Sequence, residues 1–246
     1  MDLDSETQNG IDYLDGLMAR AAPAGRPFVT LSFAQSLDGC LSGPRRSRYA
    51  MSGEEALVFT HLLRDRHDAI LVGIGTAIAD DPRLTVRHIA GRNPQPVVMD
   101  SKLRLPVGAR LLTEHPLPPW IMTTDEASGE RARALEDAGA RVFRLPPNER
   151  GGVDAGGVLR ELAAAGIGSV MIEGGAGIIG SFLIRRFVDV VIVTICPVIA
   201  GGVRAVDIPR DVGDADLPEL SGIRFMRLGR DIVLMGVPRW ERGPAG

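Results

Sequence analysis

From Pro27 onward, short apolar runs rich in β-branched residues alternate with stretches that carry apolar residues at helical spacing. Few folds accommodate that pattern, because strands buried on both faces need helices between them and on each side of a mainly parallel sheet. "PFVTLSFAQSLDG" begins with an apolar run suited to an internal strand. "SGEEALVFTHLLRDRH" reads as a helix with Ser52 as N-cap, Glu54 and Glu55 at the positive end of the dipole, and Ala56, Phe59, Leu62 and Leu63 on one face. "DAILVGIG" and "PVVMDSK" are further strands. "PWIMTTDEASGERARALEDAGARVFRL" and "DAGGVLRELAAAGIGSVMIEGG" each repeat the alternation. The end differs: "DVVIVTICPVI" is a long β-branched run, and "IRFMRLGRDIVLMGVP" reads as a hairpin about Gly229 and Arg230. The expected fold is therefore α/β, with a mainly parallel central sheet flanked by helices and a C-terminal antiparallel hairpin.

At 246 residues and 45% hydrophobic, the chain can bury one large α/β core or two closely packed lobes. We divide it into a polar, partly disordered N-terminal extension over 1–26, a principal domain over 27–240 and a flexible tail over 241–246. A net charge of −3 provides no broad positive field for a nucleic-acid backbone, so any anion site must be local. Cys40 and Cys196 lie far apart, outside any metal-ligand spacing, which points to a reducing, cytoplasmic setting and to no metal. The acidic start lacks the basic and apolar regions of an export signal, and no run of about eighteen uncharged apolar residues occurs, so no membrane partner is expected.

Three stretches carry candidate chemistry. "SVMIEGGAGIIGS" is a strand running into a helix start, with the spacing G-x-G-x-x-G at Gly175, Gly177 and Gly180. Free amides at a first helical turn, with no Cβ in the way, suit a phosphate; glycines that merely let strand and helix pack closely would read the same. A Rossmann unit would want an acidic residue at the end of the next strand. Here Asp189 comes before that strand, which ends in Cys196-Pro197. Glu173 puts a carboxylate where open α/β sheets place ligand groups. In "ILVGIGTAIADDPRLTVR", Thr76, Asp80 and Arg87 supply the hydroxyl, carboxylate and guanidinium that a sugar phosphate would use, although Asp81-Pro82 alone is an ordinary turn. In "AQSLDGCLSG", Asp38-Gly39 reads equally as a site residue or as a turn with Ser36 as its hydrogen-bond partner.

Taken in order, "SLDG", "SRYAMSGEEA", "LVGIGTAIADDPRLTVR", "VVMDSKLRLP", "MIEGGAGIIGSFL" and "VDVVIVTICPVIAGG" resemble the pyrimidine reductases of riboflavin biosynthesis over about residues 27 to 238. The resemblance implies a dihydrofolate-reductase-like fold, a homodimer, and NADPH-dependent reduction of the ribosyl side chain of a 5-phosphoribosylamino pyrimidine to ribityl. Hydride would pass to C1′ of a sugar opened to an imine. Carried over by position, Ala34, Tyr49, Thr76, Asp80 and Ser101 match cofactor contacts, as does the loop of Gly174, Gly175, Ala176, Gly177, Ile178, Ile179, Gly180 and Ser181. Ser47, Arg64, Leu84, Arg87 and Glu173 match substrate contacts. Asp38 and Glu173 are the candidates for proton handling, set against the plainer role of hydrogen-bonding the ribose or pyrimidine.

Two departures qualify the match. Ser32 stands where bacterial bifunctional members commonly carry a lysine, and the loop about Ser47 and Tyr49 is one residue longer than the bacterial pattern. The H-x-E and P-C-x-x-C zinc signatures of the partner deaminase are absent from the sequence. Similarity to stand-alone members points to the 2,5-diamino-pyrimidinone as substrate, with the 5-amino-uracil as the alternative. NADH in place of NADPH, a pterin-type or secondary-metabolism reductase, and a non-catalytic nucleotide-binding protein are the other readings.

Overall fold

The apolar runs form strands, and the stretches between them form helices. The computed structural model describes residues 4–21, 25–44, 51–207, 213 and 217–240; Ser47 and Tyr49 lie outside these residues. Along the chain come helix α1 (Ser5–Arg20), strands β1 (Phe28–Ser36) and β2 (Cys40–Ser42), helix α2 (Glu54–Arg66), strand β3 (Ala69–Gly73) and helix α3 (Ile74–Asp80). β4 (Gln95–Met99), α4 (Arg110–Thr113), β5 (Trp120–Thr124), α5 (Gly129–Asp137), β6 (Arg141–Leu145), α6 (Ala155–Ala164) and β7 (Ser169–Ile172) follow. The chain closes with α7 (Ala176–Ile184), β8 (Val190–Cys196), β9 (Val203–Arg204), β10 (Glu219–Leu228) and β11 (Asp231–Arg239). It divides into two compact units, with α2 running from one into the other at Thr60.

The first unit holds Met1–Ala21, Phe28–Thr60 and Ile172–Gly246. Its strands run in the order β10-β11-β8-β1. β1 and β8 are parallel, with Thr30 opposite Val190 and Ser36 opposite Cys196. β11 is antiparallel to β8, and β10 is antiparallel to β11. The hairpin is the expected one: Gly229 and Arg230 join the two strands, and Gly229 has φ +58°, a conformation that favours glycine. The run "DVVIVTIC" is an interior strand paired with β1 on one side and β11 on the other.

The N-terminal segment departs from expectation. Residues 5–20, assigned to a partly disordered extension, form α1, capped by Asp4, which accepts from the Thr7 amide at 2.8 Å. Ile11 and Leu14 are fully buried. Glu6 accepts from the Arg227 amide and Tyr13 donates to the Gly222 carbonyl, so side chains of α1 occupy backbone groups of β10. Burial against the hairpin supplies the stabilisation that a helix this short lacks in isolation. α2 also differs slightly at its start: it begins at Glu54, and the Ser52 hydroxyl lies 3.7 Å from the Cys196 sulfur. The Gly53 amide is taken by the buried Asp231 carboxylate at 2.7 Å.

The second unit holds Ala22–Pro27 and His61–Met171, with strand order β7-β3-β4-β5-β6. The pairs β3/β4, β4/β5 and β5/β6 are parallel. One face is covered by a core in which Ile70, Val72, Val98 and Ile121 of the strands meet Ala77, Leu111 and Leu135 of α3, α4 and α5. Helix ends obey their sequence signals. Ser128 caps α5, and Gly139 at φ +95° lets the Ala140 amide turn back to the Leu135 carbonyl. The mainly parallel sheet, flanking helices and antiparallel C-terminal hairpin are those expected from the sequence. No described helix is long and apolar enough to cross a membrane.

Candidate functional site

In the first unit, β7 ends at Ile172 and Glu173 follows, half-buried, before the glycines. Gly175 is the N-cap of α7 and makes no side-chain cap. Its carbonyl accepts the amides of Ile178 and Ile179 at 3.0 and 3.1 Å. The amides of Ala176 and Gly177 come earlier in the first turn and have no intrahelical acceptor. The three glycines of the motif do different work. A Cβ at Gly177 would meet nothing within 4 Å, so this exposed residue leaves the helix terminus open to a ligand. A Cβ at Gly180 would lie 2.6 Å from the Asp207 carbonyl oxygen, so that glycine permits close packing. Just outside the motif, a Cβ at Gly174 would strike the Ile178 side chain at 2.7 Å. Ile179 and Gly180 are buried. Positive helix-dipole charge and approachable amides fit a pyrophosphate here.

Asp38 follows β1, and its carboxylate is held by three donors. Its Oδ1 accepts from Ser36 Oγ at 2.5 Å and the Ala200 amide at 2.9 Å; its Oδ2 accepts from the Gly201 amide at 2.7 Å. The Ser36 hydroxyl, then the Ala200 and Gly201 amides, hold the carboxyl far below the usual range. Donors of this kind favour the ionised form. Asp38 thus anchors the loop at 200–201, and the Asp38-Gly39 turn is formed, with the Gly39 amide donating to the Ser36 carbonyl at 3.0 Å. Ala34 lies half-buried on β1 opposite Thr194, and Ser32 is buried in the same strand. Burial lifts the Cys196 thiol above its ordinary range, which disfavours its thiolate.

In the second unit, the carboxyl ends of the adjacent parallel strands β3 and β4 carry the next group. Thr76 and Asp80 stand four residues apart on α3 and so share one face. Ser101 follows β4, and its carbonyl accepts from Thr124 Oγ1 at 3.2 Å. Beside it, fully buried Asp100 binds the Leu105 amide at 2.9 Å, and burial raises its pKa. The loop after α3 is unusual. Asp81 and Leu84 both have positive φ, 41° and 54°, and Leu84 is buried in the core. A left-handed leucine is uncommon, and packing of its side chain holds the turn that presents the following residues.

Those residues bring Arg64 and Arg87 together. Arg64, buried on α2, donates Nη1 to the Thr85 carbonyl at 2.9 Å. Arg87 donates Nη1 to Thr85 Oγ1 at 2.8 Å and to the same carbonyl at 3.3 Å. His61, one turn before Arg64, accepts the Arg87 amide on Nδ1 at 2.9 Å, with the His88 ring 4.6 Å away. Burial, with Arg64, Arg87 and His88 nearby, pushes His61 down to about 3 and keeps it neutral. Two guanidinium groups converging on one threonine form a local cationic site suited to a phosphate. Sequence reasoning found the arginines but missed Thr85 and His61. The available signal was spacing, i+3 on the helix from His61 to Arg64 and i+2 in the loop from Thr85 to Arg87.

Comparison with known proteins identifies the family. A sequence model of the RibD C-terminal domain matches residues 27–234. The 2,5-diamino-6-ribosylamino-4(3H)-pyrimidinone 5′-phosphate reductase of Aquifex aeolicus is 34% identical over 212 residues, covering 85% of this chain and 92% of that one. The riboflavin biosynthesis protein RibD of the same organism is 32% identical over 213 residues, again 85% of this chain, but the match spans only 57% of its length. Among solved structures, the Saccharomyces cerevisiae riboflavin biosynthesis reductase Rib7 superposes with a TM-score of 0.75 at 28% identity, covering 97% of this chain and 100% of that one.

Proposed function

The chain belongs to the RibD C-terminal domain family, and we propose that it reduces the ribosyl side chain of a 5-phosphoribosylamino pyrimidine to ribityl, with NADPH, in riboflavin biosynthesis. The observation that carries this reading is the match over nearly the full length of a stand-alone reductase. The same match favours the 2,5-diamino-pyrimidinone over the 5-amino-uracil as substrate.

The geometry within each unit supports a division of labour. In the first unit the open α7 terminus, at Ala176 and Gly177, would hold the cofactor pyrophosphate; for Thr76, Asp80 and Ser101 of the second unit the cofactor role rests on the family resemblance. The nicotinamide group supplies the hydride that becomes the new C1′–H bond. Arg64 and Arg87, joined at Thr85, would hold the 5′-phosphate and with it the sugar. Opening of the furanose leaves its ring oxygen in need of a proton, and Glu173 is the remaining candidate to handle it, since both Asp38 oxygens are committed to the loop. We assign the reductase domain to residues 27–240, with α1 as an extension packed on it. Cys40 and Cys196 are free thiols, which suits a cytoplasmic enzyme. Ile223, Phe225 and Ile232, exposed on the hairpin, would be covered in the homodimer implied by the family; equilibrium sedimentation of the wild type and of Phe225→Asp tests that pairing.

The function is tested by following NADPH oxidation with each of the two pyrimidine 5′-phosphates and with dihydrofolate. Turnover on the diamino compound with a ribityl product is expected. Tight NADPH binding without oxidation on any of the three would refute the enzyme reading, and turnover on dihydrofolate alone would move the chain to the pterin class.

A further inference from the structure

The segment 85–87 contains no strand or helix, yet its backbone polar groups are tied down by side chains from elsewhere. Arg64 donates to the Thr85 carbonyl at 2.9 Å, the Val86 amide donates to Asn93 Oδ1 at 2.7 Å, and the Arg87 amide donates to His61 Nδ1 at 2.9 Å. Such anchoring matters because two like-charged guanidinium groups repel at the distance that a shared carbonyl imposes. A loop free to move would relieve the repulsion by swinging Arg87 outward.

We propose that His61 is a positioning residue for substrate phosphate: by accepting the Arg87 amide it fixes the loop so that Arg64 and Arg87 meet at Thr85. The inference rests on the phosphate role given above to the two arginines. Its chemistry is specific. Only an imidazole with Nδ1 unprotonated can accept that amide, so the ring proton sits on Nε2. Burial to 2% exposure, with three cationic or basic neighbours, keeps the ring in the neutral form that this requires.

The test compares His61→Asn with His61→Gln in the full-length protein, with ribose 5-phosphate and NADPH as separate calorimetric probes. Asparagine places its Oδ1 close to the position of the lost Nδ1, whereas glutamine carries its acceptor one methylene farther out. His61→Asn is expected to bind ribose 5-phosphate within about twofold of wild type. His61→Gln is expected to bind it about tenfold more weakly, a loss on the scale of one hydrogen bond. Both variants are expected to bind NADPH as wild type does and to melt at similar temperatures. In turnover, the loss in His61→Gln falls on KM for the phosphorylated substrate and leaves kcat in place. Equal ribose 5-phosphate affinity in both variants and wild type overturns the role of His61 and leaves the proposed function standing. Parallel losses of ribose 5-phosphate and NADPH binding also overturn it, because they mark a general structural defect. Failure of the wild type to bind ribose 5-phosphate at all overturns the phosphate assignment, and this proposal with it.

Discussion

Replacing Gly177 and Gly180 separately by alanine should move stability in opposite directions, although the residues are three apart in one helix. At Gly180 the added Cβ would lie 2.6 Å from the Asp207 carbonyl oxygen, well inside ordinary contact, and a backbone oxygen cannot rotate away as a side chain does. Overpacking of this kind costs roughly 1–3 kcal/mol, while alanine in place of glycine in a helix returns roughly 0.8–1 kcal/mol. The balance for Gly180→Ala is a loss of about 1 kcal/mol, which lowers Tm by roughly 2–4 °C in a chain of this size. At Gly177 nothing lies within 4 Å of the added methyl group, so only the helical gain remains and Tm should rise slightly. Binding should show the reverse emphasis. The Gly177 methyl would stand where a phosphate approaches the first-turn amides, and loss of one or two hydrogen bonds to a charged group, at roughly 1.5–3 kcal/mol each, weakens NADPH binding at least about tenfold. Gly180→Ala should bind NADPH nearly as wild type does once folded. Thermal melting without ligand, followed by NADPH titration of each variant, decides the matter. If Gly177→Ala binds NADPH unchanged, or if Gly180→Ala is as stable as Gly177→Ala, the assignment of separate roles to the two glycines is wrong.

Arg87→Ala should raise KM for the phosphorylated substrate by about tenfold or more, as expected for a lost charge-assisted hydrogen bond, and leave NADPH affinity unchanged in direct titration. Equal losses of both would place Arg87 outside the phosphate site. Asp38→Asn should lower Tm and expose the segment around Gly201 to proteolysis, because the carboxylate ties Ser36 to the Ala200 and Gly201 amides, yet the shape of the kcat pH profile should not change. A lost limb in that profile would return Asp38 to catalysis. His61 should make the protein acid-sensitive in a defined window. Its pKa falls from 6.5 to about 3 on folding, so between those values the unfolded chain binds the additional proton and stability drops as pH falls. From pH 6.5 to 5 the loss is about 1.6 kcal/mol, and His115, also pushed down by burial, acts in the same sense. His61→Asn should flatten that part of the denaturation profile measured in urea.

The strands were legible because their signal is local. β3, "AILVG", is buried along its whole length, as a run without polar alternation requires of an interior parallel strand. The hairpin was legible from Gly229 and Arg230 between two β-rich stretches. α1 was not, although its marks were present: Asp4 as a cap, then Ile11 and Leu14 at helical spacing. A helix whose other residues are mostly polar is stable only when those few apolar side chains have a surface to cover, and that surface is β10, more than two hundred residues away, where Tyr13 reaches Gly222. The same reasoning applies to "DVVIVTIC". Its apolar character fits a subunit interface and an interior strand equally well, and its interior place shows only in its pairing with β1 on one side and β11 on the other.

For the site, residue type and spacing located the groups that act through position in the chain, and failed where a role depends on what arrives from elsewhere. Glycines before a helix point to a candidate anion terminus because the orphan amides are a property of the helix itself, although glycines needed only for packing carry the same local mark. Carboxylates carry no such local mark. Asp38 and Glu173 each stand just beyond the carboxyl end of a strand and are the two candidates for proton handling that the sequence offers; Asp100, just beyond β4, is not singled out by it. Three donors aimed at Asp38 hold it ionised. Burial raises the pKa of Asp100 while the Leu105 amide fixes it in its loop. Donor number and desolvation are set by residues as remote as Ala200, so they become visible only after folding. The arginines show the converse. Arg87 stood out by its guanidinium in the stretch that carries Thr76 and Asp80, and Arg64 came only from the family resemblance; their convergence depends on Thr85 and His61, whose types suggest nothing until the loop carrying Thr85 is in place.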